Sequence, residues 1–151
     1  NKASFNAKNN TTVTGMQYKA AEGFTLAFQN GWDKEAYTNG KIWQVATLRP
    51  GKYRLEVTYA YTMVVSDAGN FISALMAKGN SESDIPNVAD IEQLNGVCAI
   101  YDKAGINDDS GILVTPSFEV TETTDVVIGF LTSLAKGNSY FKVTELKLIL
   151  E

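Results

Sequence analysis

The segment QNGWDKEAYTNG, residues 29–40, carries side chains of the types that recognise polyhydroxylated molecules. Trp32 and Tyr37 supply flat aromatic faces, which bury a large area at little cost in side-chain entropy. Asp33 and Asn39 supply polar groups that can fix the orientation of hydroxyl groups. The alternative interpretation is that Trp32 closes the hydrophobic core beneath a loop and contacts no ligand.

Two further segments carry the same mixture of aromatic and polar residues. Tyr101 begins the segment YDKAGINDDSG, and Asn138 and Tyr140 lie in the segment KGNSY. All three are candidate ligand-binding residues.

The run Asn107, Asp108 and Asp109 in the first of these segments carries the hard oxygen atoms that calcium prefers. Its spacing is not that of an EF-hand, and acidic residues in a turn are commonly only solvated. A structural calcium ion is therefore one interpretation of this run, and a solvated turn is the other. We predict no other cofactor.

The chain contains no histidine, which excludes the histidine-based catalytic triads and removes the commonest general base. Its one cysteine, Cys98, has no cysteine partner for a disulfide or a metal cluster. The carboxylate pairs Asp33 with Glu35 and Asp90 with Glu92 are too weak a signal for a glycosidase, and a chain of 151 residues lacks the walls of a catalytic cleft. We therefore predict that the chain is not an enzyme.

The net charge of −4 and the pI of about 4.9 argue against nucleic acids and anionic membranes as partners. The lysines are scattered, and no apolar run is long enough to insert into a membrane. The first residue, Asn1, is not a start methionine, so we expect that a leader or upstream segment has been removed.

The elements that position the candidate residues are strands. From Tyr53 to Val65 every odd position is apolar or aromatic, and the first even positions are polar, which is the period of a strand with one face on a core. The preceding Arg49-Pro50-Gly51-Lys52 predicts a turn in which the glycine accepts a positive φ.

The rest of the chain follows the same pattern. Strands are predicted within residues 24–28, 71–77, 96–102, 111–120, 125–133 and 139–150. In the last run the apolar positions change from odd to even, which predicts a β-bulge near Thr144 and Glu145. Residues 83–96 predict one short helix whose buried side consists of Ile85, Val88, Ile91 and Leu94. We therefore predict one domain, residues 1–151, that folds as an all-β antiparallel sandwich with one short helix.

The segment NGKIWQVATLRPGKYRLEV, residues 39–57, resembles a recurring segment of the galactose-binding-domain-like jelly rolls, a group that includes many carbohydrate-binding modules. Residues 74–94 and 118–150 resemble the later parts of uncharacterised domains in surface lipoproteins of Gram-negative gut anaerobes. The resemblance implies a jelly-roll sandwich, with any ligand held by loops at one end. It also implies that Gln44, Leu48, Gly51 and Tyr53 are framework residues, with Gln44 a buried, hydrogen-bonded amide.

Composition and resemblance together favour a non-catalytic module that binds glycan. The resemblance implies that it is exported to the cell surface or periplasm, lipid-anchored through a removed N-terminal segment, as part of a larger surface protein. The alternative is a structural or protein-interaction domain with no sugar site. A groove with exposed aromatic residues would favour the first interpretation, and a flat apolar patch would favour the second.

Cys98 provides a test of the strand assignment. It lies in an apolar run with no histidine to activate it, so it should react slowly with a thiol reagent in the native protein and quickly in denaturant. Labelling followed by mass spectrometry under both conditions measures the two rates. Fast labelling of the native protein would place this side chain in solvent.

Overall fold

The computed structural model describes residues 15–19, 25–30, 36–64, 70–93, 98–101, 106–134 and 139–151. The strands are β1 (Gly15–Lys19), β2 (Thr25–Asn30), β3 (Tyr37–Leu48), β4 (Gly51–Val64), β5 (Phe71–Lys78), β6 (Cys98–Tyr101), β7 (Ile106–Val114), β8 (Phe118–Val120), β9 (Thr124–Leu134) and β10 (Ser139–Leu150). Two 3₁₀ segments, Glu82–Asp84 and Val88–Gln93, lie between β5 and β6.

The strands form two antiparallel sheets. Sheet A has the order β1-β2-β10-β4-β7, and β8 also pairs with β4. Sheet B has the order β3-β9-β5-β6. The predicted all-β antiparallel sandwich is therefore confirmed.

The main core lies between the sheets and is built from the alternation seen in the sequence. Tyr53, Leu55 and Val57 of β4 are buried on its inner face. Phe28 of sheet A and Phe130 of sheet B meet there with ring centroids 5.1 Å apart. Burial of such side chains is worth about 1.5–3 kcal/mol each, so the core drives the sheets together.

Sheet B is buried on both faces along β9, where Val126–Leu134 are all buried. Alternate residues such as Ile128 face the main core. The intervening residues Val127 and Leu131 join a second cluster, in which Ile85 and Ile91 from the 3₁₀ region cover them. This double cover explains why the strand reads as a continuous apolar run.

The predicted bulge in β10 is confirmed. The register of β10 against β4 shifts between Val143 and Glu145. Because one extra residue reverses the alternation, Leu146 and Leu148 follow Val143 on the inner side despite their even numbers. Val143 is buried, whereas both leucines are more than a third exposed, because β2 pairs with β10 only as far as Val143.

The predicted helix over residues 83–96 is wrong in type, since this region forms two 3₁₀ segments. Ile85 ends the first segment with extended backbone angles, φ −95° and ψ 118°. The next residue is Pro86, whose ring disfavours the helical conformation in the residue before it. The predicted buried side holds for Ile85 and Ile91, with Val88 packed against them, and Leu94 lies outside the described residues.

The predicted turn before β4 is present, but Gly51 does not have the positive φ that we expected. Glycine is favoured at this position because a larger residue would crowd Leu150: a Cβ at Gly51 would lie 2.8 Å from a methyl carbon of that side chain. The hydroxyl of Tyr53 donates to the carbonyl of Arg49 at 2.9 Å and holds the turn against the strand.

Gly129 sets how closely β3 can approach β9. A Cβ there would overlap the carbonyl oxygen of Ile42 and lie 2.8 Å from the Cα of Trp43. Gly129→Ala should therefore destabilise the protein by about 1–3 kcal/mol in urea unfolding, because backbone must move. Gly111→Ala is the control, since the three atoms nearest to its Cβ all belong to the side chain of Tyr59 and not to backbone. Equal losses of stability in both variants would show that the close approach of β3 to β9 does not depend on glycine at position 129.

Candidate functional site

The strand termini that border four connections between the two sheets lie together at one end of the sandwich, which we call the loop end. The strand termini that flank them are Asn30, Tyr37, Val64, Phe71, Tyr101, Ile106, Leu134 and Ser139. The registers place these termini together, since Asn30 pairs with Ser139 in sheet A and Tyr37 pairs with Leu134 in sheet B. Loops at such an end can differ widely in sequence without disturbing the sheets.

The structure describes some of the candidate residues and not others. Trp32, Asp33 and Asn138 lie outside the described residues. Tyr101 is the last residue of β6, and its backbone pairs with Ile72.

Asn107, Asp108 and Asp109 belong to strand β7, so the turn expected there is wrong. Within the described ranges, no group of three or more acidic or cysteine side chains is placed to hold a metal ion. The calcium site stays a prediction.

Tyr37 is fixed by sheet B. Its hydroxyl lies 3.1 Å from the hydroxyl of Thr132 on β9, and its ring packs against the main core. Burial raises the pKa of Tyr37 well above its ordinary value, and the hydrogen bond with Thr132 opposes this only in part. The phenol is therefore neutral and already bonded within the framework.

Asn39 joins three parts of the fold. Its φ of 53° is the left-handed conformation, and the register of β3 against β9 shifts at this point, between Tyr37 and Gly40. Its backbone N–H donates to the hydroxyl of Ser133 at 3.0 Å, and its side-chain oxygen accepts from the N–H of Val88 at 2.8 Å. Asn39 thus ties the start of β3 to β9 and to the second 3₁₀ segment.

Tyr140 follows Ser139 at the loop end but lies on a different face from Tyr37. It neighbours the buried Phe141 on β10 and therefore faces outward from sheet A, where the ammonium group of Lys142 is 5.7 Å from the centre of its ring. The structure does not bring Tyr140 together with Tyr37, which packs on the inner side of sheet B.

The prediction of a buried amide at Gln44 is wrong, because this residue is exposed. Its neighbour Trp43 is 37% exposed. Both lie on β3, which in the described part of the chain has β9 as its one strand neighbour in sheet B. Alternation in the sequence cannot reveal that a strand lies at an edge, so sequence reasoning missed this surface.

Two clefts border β3. An apolar cleft of about 280 Å³ is lined by Ile42, Trp43 and Gln44 of β3, by Ile128, Gly129 and Phe130 of β9, and by Leu146 of sheet A. A polar cleft of about 570 Å³ lies toward the opposite end from the loop end. Its lining residues are Thr47, Gly79, Asn80, Ser81, Asp84, Thr123, Thr124 and Asp125.

The polar cleft is ordered by its two carboxylates. One oxygen of Asp84 accepts from the backbone N–H groups of Asn80 and Ser81, each at 2.9 Å, and from the hydroxyl of Ser81 at 2.8 Å. The hydroxyl of Ser81 is the main reason that the pKa of Asp84 is lowered. One oxygen of Asp125 accepts from the hydroxyl of Thr47 at 2.8 Å.

Variants of Asn39 test its framework role. Asn39→Ala leaves the N–H of Val88 without its acceptor and also forces alanine into a left-handed conformation, whereas Asn39→Gly has only the first defect. The alanine variant should be the less stable by about 1 kcal/mol, measured by urea unfolding. Wild-type stability in both variants would contradict the framework role and leave Asn39 available to a ligand.

No helix in the described ranges is long and apolar enough to cross a membrane. No curated protein matches the sequence. Among the solved structures that share the fold are two proteins whose descriptions mention sugars. The carbohydrate-binding module TmCBM61, solved in complex with β-1,4-galactotriose, aligns over 91% of this chain and 81% of its own, with a TM-score of 0.55 and 13% identity.

A protein from Bacteroides thetaiotaomicron, provisionally described as sugar-binding, aligns over 97% of this chain and 85% of its own, with a TM-score of 0.52 and 10% identity. Likenesses at such low identity establish the fold alone. The sequence itself matches the profile of a domain family, described as domain of unknown function DUF5013, over residues 1–129. The chain is thus a member of the DUF5013 family.

Proposed function

We propose that the chain is a non-catalytic carbohydrate-binding module whose principal site is the loop end. The observation that carries this proposal is that the strand termini bordering four sheet-to-sheet connections lie together at one end of a fold that TmCBM61 shares. The chain segments that join these strands include Trp32, Asp33 and Asn138, which the sequence analysis identified as suited to sugars.

The polar residues at the base of the loop end have a positioning role in this proposal. The hydroxyl of Tyr37 is bonded to Thr132, and the amide of Asn39 is bonded to Val88. They hold the start of β3, from which residues 31–35 lead back to β2, rather than contacting the sugar. Contact with the glycan falls to Trp32 and Asp33.

The lack of catalysis is supported by composition. A chain without histidine lacks the commonest general base, and the phenol of Tyr37 is kept neutral by burial. We further propose export to the cell surface or periplasm, through a lipid anchor on a removed N-terminal segment, within a larger surface protein. The support for this location is the resemblance of residues 74–94 and 118–150 to domains of surface lipoproteins.

One observation favours the alternative of a structural or protein-interaction domain. Ile112 and Val114 of β7 are 60% and 50% exposed on the outer side of sheet A. Apolar side chains two apart on an edge strand are suited to contact with another domain. This surface and the loop end lie on different parts of the fold, so the two roles can be tested separately.

Trp32→Ala tests the loop-end site. A shallow site should bind a single oligosaccharide with a dissociation constant near millimolar, or a binding free energy of about −4 kcal/mol. The variant should weaken retention on an affinity gel at least tenfold, because a loss of about 1.4 kcal/mol of binding free energy corresponds to a factor of ten. Its melting temperature should match the wild type.

If Trp32 instead closes the core, its truncation should lower the free energy of unfolding by about 3–5 kcal/mol. Unchanged retention with lowered stability would therefore reject the site. If the wild type binds nothing in a broad glycan panel that includes β-1,4-galactan, the structural alternative replaces the proposal.

A further inference from the structure

We propose a second oligosaccharide-binding surface on the outer face of strand β3, which we call the β3 surface, formed by Trp43, Val45 and the polar cleft that begins at Thr47. This inference rests on the proposed carbohydrate-binding function. It concerns a different face of the protein from the loop end.

The register of sheet B places these residues in one row. Trp43, Val45 and Thr47 alternate along β3 and so point to the same face, opposite Gly129, Val127 and Asp125 of β9. Val127 belongs to the cluster beneath the 3₁₀ region, which identifies this face as the outer one. Trp43 and Thr47 are four residues apart, or ~13 Å at the usual rise of a strand.

The apolar part of the row is open to solvent. Trp43 is 37% exposed and Val45 is 40% exposed. The residue across from Trp43 is Gly129, which has no side chain to cover the indole. Next along β3, Lys41 donates to the carbonyl of Ile85 at 2.7 Å, so the 3₁₀ region borders the row on one side.

The polar part of the row supplies hydrogen-bonding groups. The cleft of about 570 Å³ falls in the size range of small-molecule sites. Its lining offers hydroxyls, an amide and carboxylates, and in the described part of the chain it includes Asp84 and Asp125 but no lysine or arginine. One oxygen of each carboxylate accepts hydrogen bonds from groups that line the cleft.

The apolar and polar parts of the row together indicate which class of ligand fits it. An aromatic platform beside hydrogen-bonding groups suits a polyhydroxylated chain. Two carboxylates in a lining without lysine or arginine disfavour phosphate, sulfate or uronic acid groups. A specific protein partner usually needs about 800 Å² on each side, whereas the apolar part of this row is two side chains long. The geometry therefore points to a neutral oligosaccharide that extends from Trp43 into the cleft.

The two tryptophans of the chain allow the two sites to be observed separately. In Trp32→Phe the remaining fluorescence reports Trp43, and in Trp43→Phe it reports Trp32. Each variant is titrated with neutral oligosaccharides that include β-1,4-galactotriose, and with oligogalacturonate as the anionic control. We expect a saturable change at Trp43 with a neutral oligosaccharide and none with oligogalacturonate.

A matched pair of asparagine variants tests the cleft. Asn80 lines the cleft and Asn87 is an exposed residue of the same segment outside it. In the Trp32→Phe background, Asn80→Ala should weaken the affinity reported by Trp43 by about threefold to tenfold, the range for one lost hydrogen bond, and Asn87→Ala should not change it.

The outcomes separate the two proposals. A response at Trp32 without one at Trp43 overturns the β3 surface and keeps the loop-end site. A response at Trp43 that is insensitive to Asn80→Ala overturns the role of the cleft. If neither tryptophan responds to any sugar, both proposals fail. In that case, sedimentation that depends on protein concentration in the wild type but not in Trp43→Phe would assign the β3 surface to protein contact instead.

Discussion

The arrangement of this fold depends on the burial of β9 on both of its faces. One face packs against sheet A through residues such as Ile128, and the other must be covered by something other than a sheet. Residues 82–93 provide that cover, with Ile85 and Ile91 inserted over Val127 and Leu131. Leaving such side chains in water would cost about 1.5–3 kcal/mol each, so the 3₁₀ region is a structural part of the sandwich.

The same strand holds the framework of both candidate sites. At the loop end, Thr132 and Ser133 of β9 bond Tyr37 and the backbone of Asn39. At the other end, Asp125 accepts from Thr47 through its side chain and from the N–H of Gly79 through its carbonyl. A rigid central strand therefore positions groups at both ends, which is how sandwich folds support variable sites on a constant scaffold.

Edge position explains why β3 presents an unusual surface. Its inward residues such as Leu48 contribute to the core, but it has β9 as its one partner within the described part of sheet B. Trp43, Gln44 and Val45 are all exposed in consequence. A long edge strand with exposed apolar side chains is a liability for aggregation, and a binding role gives such residues a physical reason to remain.

The family and the fold alone do not determine a ligand. TmCBM61 and the Bacteroides thetaiotaomicron protein share the fold but are only 13% and 10% identical to this chain. The first was solved with a bound galactotriose, and the second is provisionally described as sugar-binding. Sandwich folds carry many unrelated functions, so specificity has to come from side chains at the sites. For this chain we propose that those side chains are the loop-end residues and the row that begins at Trp43.

Local sequence patterns determined much of the fold. The alternation from Tyr53 to Val65 predicted β4, and the change of parity in the last strand predicted the bulge beside Thr144, because side-chain period is a property of a single strand. The prediction of a helix at residues 83–96 was wrong because apolar periodicity does not distinguish an α-helix from 3₁₀ turns around a proline.

Only the tertiary structure decided which strand lies at an edge and which polar side chain already has a partner. Gln44 is exposed and Asn39 is bonded to Val88, although the sequence suggested the reverse. These properties arise from contacts between residues far apart in the chain, such as Asn39 with Ser133, and no local pattern records them.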